Sequence, residues 1–135
     1  CHRAIDVTPD PIAAAELIVS LGFNRILTSG GRQRCFEGID TINEMWSRFG
    51  NQIEILACGS IRPNNLAEII SKTNVNQFHM ALMKTICDPS MTGQTIHFNG
   101  TPSELSYTQI DQQAVREAVR IYVIKEQAGA SSLFR

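Results

Sequence analysis

The sequence predicts an α/β fold of four consecutive strand–helix units with parallel strands. Three observations predict it. Short apolar runs alternate with longer stretches in which apolar residues recur every three or four positions. The connections are short, as in chains whose successive parallel strands are joined by right-handed crossovers. Proline opens two of the helical stretches, at Pro11 and Pro63, and glycine closes two, at Gly22 and Gly50.

Taken in order, residues 1–6 read as the stub of a first strand. Asp10-Pro11 supplies an N-cap followed by proline at the first helical position. Ile12, Ala15, Val19 and the nearby Leu21 form the apolar face of the helix, and Gly22 stops it. The second strand is 25–29, ending in Gly30-Gly31. A helix follows from about Phe36, with Phe36, Ile39, Ile42, Trp46 and Phe49 at spacings of three and four. The third strand is 53–57, ending at Cys58-Gly59. Pro63 then opens a helix carrying Leu66, Ile69 and Ile70. The fourth strand, about 77–82, is short. Residues 84–108 read as an irregular stretch whose Asp88-Pro89, Asn99-Gly100 and Thr101-Pro102 are turn formers. Asp111 caps a last helix with Val115, Ala118, Val119 and Tyr122 on one face, and 129–135 read as a flexible tail. The whole, 1–135, is a single partial domain. Two architectures accommodate it: half of a (β/α)8 barrel or a small doubly wound sheet. Neither G-x-G-x-x-G nor a phosphate loop follows the first strand, which lowers the nucleotide-binding form of the second and predicts no nucleotide cofactor.

Composition narrows the function classes. With 43% hydrophobic and 19% charged residues, 135 residues suffice for a buried core and argue against disorder. A formal net charge of -1 offers no field for nucleic acid or an anionic membrane surface. Arg32 and Arg34 form only a short basic run. No apolar run reaches the roughly 20 residues that span a bilayer, and no secretory signal is visible. The chain begins with Cys in what reads as mid-strand, so upstream sequence is expected. Cys1, Cys35, Cys58 and Cys87 include no CxxC pair, which argues against structural zinc and predicts reduced thiols in the cytoplasm.

Several segments carry a family resemblance. Cys1-His2-Arg3-Ala4-Ile5-Asp6, then Arg25-Ile26-Leu27-Thr28-Ser29-Gly30, then Glu37-Gly38-Ile39, then Ile55-Leu56-Ala57-Cys58-Gly59-Ser60-Ile61 and Phe78-His79 resemble, in order and spacing, the second half of the CutC copper homeostasis proteins. The resemblance implies a TIM (β/α)8-barrel fold of which this chain supplies about four βα units, strands five to eight. It also implies a function in intracellular copper handling, with Cu(I) as the ion. The departures are Cys1 and Ile5 in place of aromatics, Cys58 in place of Gly or Ala, and Met80 and Met83 in place of small or polar residues.

In such a barrel the functional face lies at the C-terminal ends of the strands. His2, Arg3 and Asp6 are the catalytic candidates: an imidazole and a carboxylate for proton transfer or metal binding, a guanidinium for an anion. Strand alternation puts His2 and Asp6 on one face and Arg3 on the other. The blander reading is a structural Arg–Asp pair. Ser29 and Gly30, and Gly59 and Ser60, are candidate anion-binding turns offering backbone N–H groups, or glycines that merely permit tight turns. Cys58 and His79 are the candidate copper ligands, since Cu(I) favours thiolate and accepts imidazole. Met80, Met83, Cys87 and Met91 make a soft-ligand neighbourhood beyond them, with Met83 and Cys87 an i, i+4 pair if helical, or ordinary core filler. Cys35 and His97 rank lower. Three functions follow: a copper-binding protein, an enzyme acting on a small anionic or phosphorylated substrate, or a fragment without independent activity. Strand edges at 1–6 and 77–82 are open, which predicts a homo-oligomer through paired edges.

Overall fold

The structure is a computed structural model that describes residues 1–88 and 106–132. Three parallel strands, β1 (Arg25–Thr28), β2 (Glu54–Ala57) and β3 (Gln77–Phe78), form one sheet in chain order. In register, Ile26 pairs with Ile55 and Ala57 with Phe78. Helices α1 (Pro11–Ser20), α2 (Ile39–Phe49) and α3 (Pro63–Lys72) alternate with the strands. An antiparallel pair follows, β4 (Met83–Cys87) with β5 (Ser106–Ile110), and then α4 (Gln112–Ser132), which packs on α3.

Local chemistry accounts for the helix ends. The Asp10 carboxylate accepts the N–H groups of Ile12 and Ala13 at 2.9 and 3.0 Å, capping α1 ahead of Pro11. At its far end Gly22, at φ 76°, donates to the Val19 carbonyl, and Phe23 to that of Ile18, the bond pattern of a Schellman motif. Asp111 caps α4 through Gln113 and Ala114. The core gathers Ile26 and Ile55 from the strands, Ala15 and Ile18 from α1, Ile42 and Met45 from α2, and Leu66 and Ile69 from α3.

Several expected elements differ. Residues 1–6 are not a strand. Cys1 alone pairs with β1, donating to the Arg25 carbonyl at 2.6 Å and accepting from Leu27 N–H at 2.9 Å. The chain then turns into a short 3-10 helix, Arg3–Val7, because the His2 imidazole caps it through the Ala4 N–H. β3 is two residues long, not six. The stretch read as irregular holds β4 and β5, whose β-branched and aromatic residues were overshadowed by the turn formers between them. Pro89, Met91, His97, Asn99, Gly100, Thr101 and Pro102 lie outside the described residues. β4 also ends the helical reading of Met83 and Cys87, which lie four residues apart along a strand. In α2 the buried positions are Ile42 and Met45, while Trp46 is 43% exposed. On α4 Ala118 is buried and Val119 exposed, so that face is also rotated from the expected one. α4 continues to Ser132, past Gly129. No helix among the described residues is long and apolar enough to cross a membrane.

Candidate functional site

The three parallel strands end at one edge of the sheet, and that edge collects the turn after β1, the turn after β2 and the residue after β3. The 3-10 helix at residues 3–7 packs against β1. Three arrangements occur there.

The first is built around Asp6. Its side chain is almost wholly buried, and Arg3 Nε donates to it at 2.9 Å. A 3-10 turn brings residues three apart to one side, so Arg3 and Asp6 meet instead of facing opposite ways as a strand would have them. The Thr28 hydroxyl (2.6 Å), the Ser29 N–H (3.0 Å) and hydroxyl (2.8 Å), and the Gly31 N–H (3.0 Å) also donate to the carboxylate. Gly30 N–H goes to the Thr28 hydroxyl at 2.9 Å. The turn predicted to cradle an anion therefore holds one already, the carboxylate of Asp6. Arg3 closes it from outside, donating to the Ser29 hydroxyl at 2.6 Å and to the Arg32 carbonyl at 3.2 Å. Burial by itself raises the Asp6 carboxyl. The hydrogen bonds from Thr28, Arg3, Gly31 and Ser29 outweigh it and hold the group below the ordinary carboxylate range. His2 stands apart, exposed, with Nδ1 accepting the Ala4 N–H at 3.0 Å. That bond leaves Nε2 as the protonated nitrogen of the neutral ring.

The second arrangement is a cleft of about 500 Å³ beyond β2, whose lining includes Gly59, Ser60, Arg34, Arg62, Glu37 and Asn65. Both turn residues have positive φ, Gly59 at 104° and Ser60 at 56°. Asn65 fixes the turn, donating to the Ser60 carbonyl at 3.0 Å and accepting the Arg62 N–H at 2.8 Å. Among the described residues no internal acceptor takes the Gly59 or Ser60 N–H. Ser29 and Gly30 thus belong to a filled turn, and Gly59 and Ser60 to an open one.

The third arrangement concerns the cysteines, all four of which are free thiols. Cys58 follows β2 and is 2% exposed. His79 follows β3, the next strand, and donates its N–H to the Ala57 carbonyl at 2.8 Å, but its side chain is exposed. Cys35 is fully buried, and its N–H donates to the Gly59 carbonyl at 2.9 Å. Burial pushes both thiols up to about 11, and at Cys35 the neighbouring Cys58 and Asp6 add to it. At Cys58 the Arg3 guanidinium partly opposes the rise. No group of three or more His, Cys, Asp or Glu side chains among the described residues is placed to hold a metal ion. Sequence reasoning underrated Cys35, Arg34 and Arg62. The Arg62-Pro63 helix start flags the last of these; for Cys35 only its apolar neighbour Phe36 hints at burial.

Comparison with known proteins places the chain among relatives. The CutC family profile matches residues 1–84. The chain is similar to a CutC family protein of Treponema denticola, 44% identical over 100 residues, which are 73% of this chain and 41% of the relative. It is likewise similar to one of Caulobacter vibrioides, 36% identical over 119 residues, 88% of this chain and 48% of that relative. The chain thus spans about half the length of these curated relatives. Among solved structures, the crystal structure of CutC from Streptococcus agalactiae, a protein named for copper homeostasis, superposes with a TM-score of 0.53 at 34% identity. The match covers 58% of this chain and 39% of that one.

Proposed function

The chain belongs to the CutC family, and from that premise we propose that it handles copper, binding Cu(I) through Cys58 at the C-terminal edge of its parallel sheet. The observation that carries this reading is a reduced, buried Cys58 thiol directly after β2, with His79 directly after the neighbouring β3. Soft d10 Cu(I) is among the ions that thiolate favours. Zinc would want about four ligands, and no cluster of even three is present among the described residues, whereas Cu(I) is satisfied by two. Loss of the Cys58 proton balances the charge of the arriving ion. Anaerobic Cu(I) titration against a chromophoric chelator tests the site. Binding that disappears in the Cys58→Ala, His79→Ala double variant supports it; unchanged affinity removes it.

The open cleft favours a second reading, an enzyme or binding module for a small anion. Arg34 and Arg62 supply positive charge beside the Gly59-Ser60 turn, and the neighbouring Arg3, His2 and Asp6 would serve as anion clamp and proton-transfer groups. Asp6, already saturated with donors, is the weakest of these. A rise in melting temperature with inorganic phosphate or small phosphorylated metabolites supports this reading, and none across a broad screen counts against it.

As to architecture, the reading is that residues 1–135 correspond to strands five to eight of a (β/α)8 barrel and are a single partial domain of a cytoplasmic protein. What supports it is the chain-order parallel sheet β1–β2–β3, with α1 before it and α2 and α3 between its strands. The open strand edges, and exposed apolar residues on α1 (Leu17), just after it (Leu21) and on α4 (Val119, Val123), suit pairing of two copies through those edges. Light scattering under reducing conditions decides it: a dimer near twice 15.0 kDa is expected, and a monodisperse monomer excludes it.

A further inference from the structure

We propose that the cleft beyond β2 binds a small phosphorylated amine, with the phosphate on the Gly59-Ser60 turn beside Arg34 and Arg62 and the ammonium on Glu37. The inference rests on the anion reading of that cleft and names its ligand class.

The frame of the cleft is fixed on both sides. The Cys35 N–H donates to the Gly59 carbonyl at 2.9 Å, which ties the backbone next to Arg34 to the turn after β2. Asn65 clamps the other side. It accepts the Arg62 N–H at 2.8 Å and donates to the Ser60 carbonyl at 3.0 Å, so one side chain holds both residues. The Arg62 guanidinium donates through Nη1 to the Ile61 carbonyl at 2.8 Å, and its further N–H donors remain for a ligand. The N–H groups of Gly59 and Ser60 have no internal acceptor among the described residues. A phosphate presents several strong acceptor oxygens. It suits a pair of guanidinium groups and a pair of backbone donors better than a carboxylate does.

The acidic side chains of the cleft decide what else the ligand carries. Glu68 already has a cation: Lys72 Nζ lies 2.7 Å from its carboxylate and sits over the Phe36 ring, 4.6 Å from the centroid. Glu37 is different. Arg34 and Glu37 stand three residues apart at the start of the 3-10 turn Cys35–Gly38. At the same spacing in the other 3-10 turn, Arg3 and Asp6 pair at 2.9 Å. Here the pair does not form. Among the described residues Arg34, Arg62 and Glu37 enter no ion pair, although all three line the same cleft. Bare phosphate would answer the arginines and leave Glu37 facing a like charge. At about pH 7.5 a phosphorylated primary amine carries about two negative charges and one positive. Such a ligand answers all three groups, and its net negative charge complements the net positive charge they leave.

O-phosphoethanolamine against ethyl phosphate tests this, since the second has the same phosphate and carbon chain without the amine. Calorimetric titration of the intact chain at low salt and about pH 7.5 is expected to give about 10-fold tighter binding of O-phosphoethanolamine, the effect of one charged hydrogen bond. Glu37→Gln is expected to bring the two ligands within about twofold of each other, while ethyl phosphate binds at least as well as before because a like charge is gone. Arg34→Gln is expected to weaken both ligands about 10-fold. Equal affinities in the wild-type chain overturn the inference and leave the anion reading standing. A preference that survives Glu37→Gln does the same, since the ammonium is then held elsewhere. No binding of either phosphate ester at millimolar concentration overturns the anion reading and the inference together. Both substituted side chains are exposed, and the wild-type comparison decides against the inference even without them.

Discussion

The turn after β1 and the turn after β2 are made of similar materials and end up in opposite states. Each follows a parallel strand, each carries small residues, and each contains glycine at positive φ, Gly30 and Gly31 in one and Gly59 in the other. The first is closed. Its N–H groups converge on the Asp6 carboxylate and the Thr28 hydroxyl, and Arg3 locks the outside. The second is open, facing a cleft flanked by Arg34 and Arg62. Oriented N–H groups at a turn bind whatever anion is near. In one turn the chain provides that anion itself, 23 residues upstream of Ser29, and in the other it does not. A Gly-rich turn after a strand is therefore a capacity for anion binding, and the rest of the fold decides whether the capacity is spent on structure.

The comparison breaks most severely at Gly30. A Cβ there would collide with the Gly38 carbonyl, and the residue needs φ 73°. The atoms it would meet all belong to the Gly38 backbone and cannot give way, so Gly30→Ala is expected to cost about 4 kcal/mol or more by chemical denaturation. Gly59→Ala, at φ 104° and 3.0 Å from Ser29 Cβ, is expected to cost about 2 kcal/mol. Equal losses would mean that the closed turn is no tighter than the open one.

Next comes Asp6→Asn. It keeps the shape and removes the charge that Arg3, Ser29 and Gly31 share, with an expected loss of about 2–4 kcal/mol. The folded carboxyl lies below its ordinary 3.8, burial being outweighed by hydrogen bonds. The unfolded chain therefore takes up the proton first as pH falls. The contribution of Asp6 is complete above about pH 4 and disappears as pH drops through the lower folded value. The wild-type chain should lose stability on the acid side of pH 4 more steeply than the variant; parallel acid limbs would show that the carboxylate is not the anion of the closed turn.

In the open turn, Arg62→Ala is expected to weaken inorganic phosphate binding about 10-fold, the effect of one charged hydrogen bond, while leaving unfolding free energy nearly unchanged. The contrast with Asp6 is the point: loss of ligand without loss of fold in one turn, loss of fold in the other. The smallest effect is expected away from both turns. Glu68→Gln breaks the exposed i, i+4 pair with Lys72 and should change stability by less than about 0.5 kcal/mol, which sets the baseline for the other changes.

Much of the scaffold was legible. Periodicity and punctuation located α1, α2 and α3, and the Asp10, Pro11 and Gly22 signals act as their chemistry requires. They did so because capping and glycine stops depend on bonds within a few residues. The first six residues were misread for the complementary reason. Whether Cys1 to Asp6 continues a strand depends on how far a neighbour pairs with it, and only Cys1 has that partner. The same limit applies to the helix faces: the three-to-four period in α2 is plain, but packing against the sheet turned Met45 inward and Trp46 outward.

The candidate site divides along the same line. The residue types were visible, with His2, Arg3, Asp6, Ser29, Gly30, Cys58, Gly59, Ser60 and His79 all on segments the sequence assigns to one end of the strands. The sequence by itself also determined the alternation of strands and helices, the local caps, and the family whose order of motifs this chain carries. Tertiary structure decided which groups face each other: that the anion in the β1 turn is Asp6, that Cys58 is buried beside the Cys35 turn while His79 is exposed, and that Arg34 and Arg62 flank an open cleft. The physical reason is range. Propensity and capping act over three or four residues and can be read along the chain, whereas a carboxylate meeting a turn 23 residues away, or the N–H of Cys35 meeting the carbonyl of Gly59 across two turns, depends on how the sheet closes and which side chains the core expels.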